Sequence, residues 1–73
     1  MTIGERAARA IKSRSKPRKF VAELQKLDIE INAFYRWTRG ECDPSAYYLR
    51  QMALAGYDVI YILTGKENLH VDD

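Results

Sequence analysis

Asn32, Tyr35, Arg36 and Arg39 lie within one stretch of eight residues, interleaved with Ile31, Phe34 and Trp37 at three-residue intervals. That interval predicts a helix from about Glu30 to Arg39, with Ile31, Phe34 and Trp37 turned to a core and Asn32, Ala33, Tyr35, Arg36 and Arg39 turned outward. The outward groups suit hydrogen bonding to flat, edge-presenting partners. A carboxamide pairs bidentately with adenine and a guanidinium with guanine O6 and N7, while a phenol ring stacks on sugar or meets a thymine methyl. Asn32, Ala33, Tyr35 and Arg36 are therefore candidate contacts to base edges, and Arg39 a candidate contact to phosphate. Each has a plainer use as well: Asn32 in local capping, Tyr35 in shielding the core, Arg36 in touching phosphate only. Trp37 reads as core rather than as a stacking platform.

A second cluster comprises Lys12, Arg14, Lys16, Arg18 and Lys19, five bases in eight residues. It sits where a second helix is expected to begin, and a helix start offers free N–H groups and partial positive charge. Lys16, Arg18 and Lys19 are accordingly candidate phosphate contacts, with a solvated basic loop as the alternative. The wider charge pattern agrees. Residues 1–40 carry ten Lys and Arg against four acids, a balance of +6, and residues 41–73 carry two against six, a balance of −4. Such segregation points to a basic face that meets a polyanion.

Other chemistry finds little support. Seventy-three residues make one domain, whose few apolar side chains leave little for a catalytic cleft. No nucleophile stands with a base, no carboxylate pair with a cleft, and no glycine-rich phosphate loop is present. The single cysteine, Cys42, and single histidine, His70, supply neither a disulfide nor a four-ligand zinc site. No enzyme activity, cofactor or metal is expected. The longest apolar run, Val59 to Leu63, falls short of the roughly 20 residues that span a bilayer, and no signal peptide opens the chain. A cytoplasmic location is expected.

Five helices should position these groups. Thr2 and Glu5 have capping-box spacing before a helix from about Ile3 to Ser13, with Ile3, Ala7, Ala10 and Ile11 on its inner face. Ser15 is the expected cap of the second helix, with Pro17 in its first turn and Phe20, Leu24 and Leu27 facing inward. Two or three residues around Asp28 and Ile29 join it to the helix already described, which Gly40 ends. Ser45 then caps a fourth helix with inner positions Tyr48, Leu49, Met52 and Ala53, closed by Gly56. Asp58 caps a short fifth helix, Val59 to Leu63. A domain over residues 1–65 is followed by a polar tail, 66–73.

The second half of this pattern is specific. Arg36, Trp37, Arg39 and Gly40, then Pro44 and Ser45, then Leu49, Met52 and Ala53, then Asp58 to Gly65, occur in an order and spacing that resembles the repressor/Cro-type (XRE) helix-turn-helix family. The likeness covers about half of the chain. Where the family carries leucine-alanine and then a turn glycine before its recognition helix, this chain has Glu23, Leu24 and Asp28. The resemblance implies an all-α bundle of four to five helices of the lambda repressor-like kind. It also implies a phage or bacterial transcriptional regulator, typically a repressor, that binds double-stranded DNA. A helical protein-interaction module, such as an antitoxin or antirepressor, is the competing expectation. Six apolar or aromatic residues in seven, Tyr57 and Val59 to Leu63, exceed what a short surface helix can bury. A homodimer is expected, with Val59, Ile60 and Leu63 inward and Tyr61 and Ile62 at the interface. The two recognition helices would then lie about 34 Å apart on a pseudo-palindromic site.

Overall fold

Thr2 opens the first helix with a reciprocal cap: its hydroxyl accepts from the Glu5 amide at 3.0 Å, and the Glu5 carboxylate accepts from the Thr2 amide at 2.7 Å. The structure, a computed structural model, describes residues 1–15 and 19–66, which form helices and no strand. The helices are α1 Ile3–Arg14, α2 Phe20–Lys26, α3 Ile31–Thr38, α4 Ala46–Leu54 and α5 Val59–Thr64. None of the described helices is long and apolar enough to cross a membrane. Ser45 and Asp58 cap α4 and α5 as their side chains predict, accepting from the amides of Tyr48 and Tyr61.

Ser15 departs from expectation. Its amide and its hydroxyl both donate to the Ile11 carbonyl, at 3.1 and 2.9 Å, so it closes α1 instead of starting α2. Helix α2 begins after Lys19, which contributes no side-chain cap. The expected role of Pro17, and the candidate contacts Lys16 and Arg18, lie outside the described residues.

Helix α1 is the hub, lying against α2, α3 and α5, while α4 lies against α5. Small residues make this possible. Ala7 and Ala8 are buried on its inner face, and a Cβ on Gly4 would overlap the Cys42 carbonyl and stand 3.2 Å from the Trp37 Cα. Around them Ile11, Leu24, Leu27, Ile29, Phe34, Trp37, Met52, Tyr57 and Ile62 complete the core. Phe20 stacks on Phe34 at 5.1 Å between ring centroids and so joins α2 to α3.

Three helices end the same way. After α2, α3 and α4 the chain places Asp28, Gly40 and Gly56 at φ of 59°, 72° and 92°. Paired backbone bonds follow in each case, as from Ile29 N–H to the Leu24 carbonyl and from Asp28 N–H to that of Gln25. This is the Schellman closure, with its apolar contact supplied at Asp28 by the buried pair Leu24 and Ile29. Aspartate tolerates the left-handed region better than most residues. Its carboxylate is also held from outside the turn, accepting a hydrogen bond from the Tyr47 hydroxyl of α4 at 2.5 Å.

Several inner-face expectations are corrected. Ile31 is 40% exposed. Steps of three residues slip about 60° each around a helix, so a face centred on Phe34 and Trp37 leaves Ile31 beyond its edge. Ala53 is exposed because Met52 and Tyr48 centre the buried side of α4, about a third of a turn away. On α5 Val59 packs against the core as expected, but the rest of the orientation differs: Ile62 is 1% exposed, Tyr61 is half-buried, and Ile60 and Leu63 are 49% and 42% exposed. A run in which nearly every residue is apolar has no periodicity to reveal its inner side.

Candidate functional site

The outward side of α3 is built on two anchors. Phe34 and Trp37 are fully buried behind it, with Tyr48 meeting Trp37 edge-on at 5.5 Å. Their burial fixes the helix rotation, which leaves Ile31, Asn32, Tyr35, Arg36 and Arg39 exposed on one side. Among the described residues, neither the Asn32 carboxamide nor the Arg36 guanidinium has a hydrogen-bond or ion-pair partner. The plainer use of Asn32, a local cap, is not what it does. Glu30 is the N-cap residue, and it too makes no side-chain cap bond.

Other members of the predicted set are less free. Ala33 is half-buried against the core, beside Trp37 on the side of it away from Phe34, which corrects its expected outward placement. Tyr35 is 41% exposed, and its ring meets Phe20 edge-on at 6.4 Å, so one side of it covers the core while the other faces out. Arg39 pairs with Glu41 through Nε at 2.5 Å and a longer bond from its terminal nitrogen. That hydrogen bonding, and more weakly the nearby charge of Arg36, holds the Glu41 carboxyl below the usual carboxylate range. Exposed pairs of this kind are weak and readily exchanged.

Basic groups flank this side from neighbouring elements. A groove of about 500 Å³ between α1 and the end of α3 is lined by Arg9 and Lys12, with Thr38, Ala8, Met1 and the capped Glu5. Lys12 Nζ stands 5.9 Å from the Phe34 ring centre. Lys19 is exposed just before Phe20, on the flank where Phe20 meets Tyr35. Arg9 thus extends the candidate surface beyond the basic cluster that Lys12 begins.

Two of the counted cations have other work. Arg6 donates to the carbonyls of Ile62 at 2.8 Å, Leu63 at 3.3 Å and Met1 at 2.7 Å. Arg14 donates to those of Ala55 at 2.6 Å and Gly56 at 3.1 Å, and lies 4.0 Å over the Tyr57 ring. Both neutralise the carbonyl-rich ends of α5 and α4. The basic excess of the first forty residues therefore has an internal cause beside any external one. The Tyr57 hydroxyl donates to the Glu23 carboxylate at 2.6 Å, and burial followed by that bond pushes its pKa above the ordinary tyrosine value.

Ile62, an expected interface residue, is in the core, whereas Tyr61 is half-buried; Ile60 and Leu63 form the exposed apolar side of α5. Among the described residues no three His, Cys, Asp or Glu side chains converge as metal ligands. Comparison of the chain with protein-family models, with curated proteins and with solved structures found no match.

Proposed function

We propose that the chain is a sequence-specific double-stranded DNA-binding transcriptional regulator, a repressor in its simplest form, in which α2, the turn at Asp28 and α3 act as a helix-turn-helix. The observation that carries this reading is the outward side of α3. A carboxamide and a guanidinium without partners among the described residues stand together on a helix whose other side is locked into the core, and basic groups flank it. Asn32 and Arg36 read base edges, with Tyr35 contributing contact area, and Lys19, Arg9, Lys12 and Arg39 hold phosphates. Arg39 exchanges Glu41 for a phosphate oxygen in doing so.

The regulator acts as a homodimer through Ile60, Leu63 and Tyr61 of α5, since exposed apolar side chains in register on one short helix favour two-fold self-pairing. Sedimentation of wild type and of Leu63→Asp tests the pairing: the wild type sediments as a dimer on its site and the variant, still helical by circular dichroism, does not. Selection of bound sequences from random DNA tests the function itself, and a recovered site with two-fold symmetry is the expected result. Binding should weaken by about 0.9 in log K per phosphate for each decade of salt, with about four to six phosphates engaged per protomer. Selected pools no different from the starting library, or a salt-independent affinity, would overturn the reading.

A further inference from the structure

We propose that Ile31 determines specificity by packing against the C5-methyl group of a thymine in the major groove, an inference that rests on the DNA-binding reading above. Ile31 is the first residue of α3 and is 40% exposed, on the same outward side as Asn32 and Tyr35. Four residues separate it from Tyr35, which puts the two side chains side by side along the helix. The start of a recognition helix is the part that penetrates to base edges.

Local stability does not explain this residue. A β-branched side chain is a modest helix former, and the first turn of a helix favours an acid, which interacts well with the free N–H groups there. The first turn of α3 has no acidic residue, and Ile31 follows the Glu30 carboxylate at the cap. The core does not explain it either, because Phe34 and Trp37 fill that side. Thymine is the one base that presents an apolar group in the major groove. Lys12, Lys19 and Arg36 around the same side supply the charge complementarity that selects a nucleic acid over an apolar protein surface as the occupant.

The test replaces each thymine of the selected site with deoxyuridine, one position at a time, and measures the affinity of wild type, Ile31→Ala and Tyr35→Ala. Uracil differs from thymine only by the missing methyl. At one position per half-site the wild type should lose about fourfold, the effect of exposing one methyl group. Ile31→Ala should bind the thymine site less tightly and show no further loss with uracil at that position, whereas Tyr35→Ala should keep the loss. Circular dichroism checks that both variants remain helical. Specific binding that is indifferent to uracil everywhere, or a uracil penalty that Ile31→Ala leaves unchanged, overturns the role of Ile31 while the DNA-binding reading stands. An Ile31→Ala variant that binds DNA as wild type but loses self-association would likewise overturn it and make Ile31 a protein contact. Failure to select any preferred sequence removes both readings together.

Discussion

Arg6 and Arg14 on α1 and Arg36 on α3 are put to opposite uses. Arg6 and Arg14 reach back to the carbonyls that end α5 and α4, and Arg14 also covers the Tyr57 ring, so between them they tie α1 to the last third of the described chain. Arg36 is exposed and makes no hydrogen bond or ion pair among the described residues, as is true of the Asn32 side chain one turn before it. Both helices have a buried side of similar character, Ala7, Ala8 and Ile11 on one and Phe34 and Trp37 on the other. The difference lies in what the neighbouring helix ends need. Carbonyl-rich ends stand within reach of Arg6 and Arg14 and take them up, whereas Arg9 and Lys12 of the same helix line the groove beside α3 and Arg36 meets no hydrogen-bond partner among the described residues. A count of positive charge cannot separate these two uses, and the separation decides which substitutions should damage folding and which should damage binding.

The largest expected effect lies behind the face. Trp37→Ala should destabilise the fold by about 3 to 5 kcal/mol through the cavity it leaves, measured by urea unfolding, and should abolish binding only because the fold is lost. Next comes the frame. Arg14→Met keeps the aliphatic stem but removes two bonds to carbonyls and the cation over Tyr57, for a loss of about 1 to 2 kcal/mol in the same measurement. If Arg14 instead touched DNA, the variant would keep its stability and lose affinity, and the contrast between the helices would fail.

A smaller effect should follow pH. The Tyr57 hydroxyl has a raised pKa in the folded protein, so its contribution is complete below the ordinary tyrosine value of about 10 and declines as pH rises above it. Tyr47, whose hydrogen bond to the Asp28 carboxylate also raises its pKa, declines in the same direction. Unfolding curves collected from neutral to strongly alkaline pH should show falling stability, and Tyr57→Phe should flatten that fall. The smallest effect is the one on the face itself: Arg36→Ala should leave stability within about 0.5 kcal/mol of wild type.

Much of this arrangement was legible in the residues. Thr2 with Glu5, Ser45 and Asp58 announced three helix starts, and Gly40 and Gly56 two helix ends, because caps are set by local chemistry. The outward placement of Asn32, Tyr35, Arg36 and Arg39 followed from the spacing of Phe34 and Trp37, although Ile31 was counted with the core and Ala33 with the outward set. Ile31 was misplaced because three-residue steps carry it past the edge of the face set by Phe34 and Trp37, and Ile62 because a nearly all-apolar run has no periodicity. Hydrophobicity says that a residue can be buried, and only the packing of neighbouring helices says which of several apolar residues is. The partners of Arg6 and Arg14 were out of reach of any local pattern, since 56 and 41 residues separate them from the carbonyls they bind. The tie between Asp28 and Tyr47 spans 19 residues and was hidden for the same reason.

The central claim, that the outward side of α3 reads DNA sequence, is tested most directly by the affinity of wild type and Arg36→Ala for the selected site and for random duplex of equal length, at one salt concentration. The account predicts that the substitution costs about 1 to 3 kcal/mol on the selected site, relaxes the preference at one base pair and leaves the affinity for random duplex nearly unchanged. An equal loss on both duplexes would make Arg36 a phosphate contact and contradict the claim.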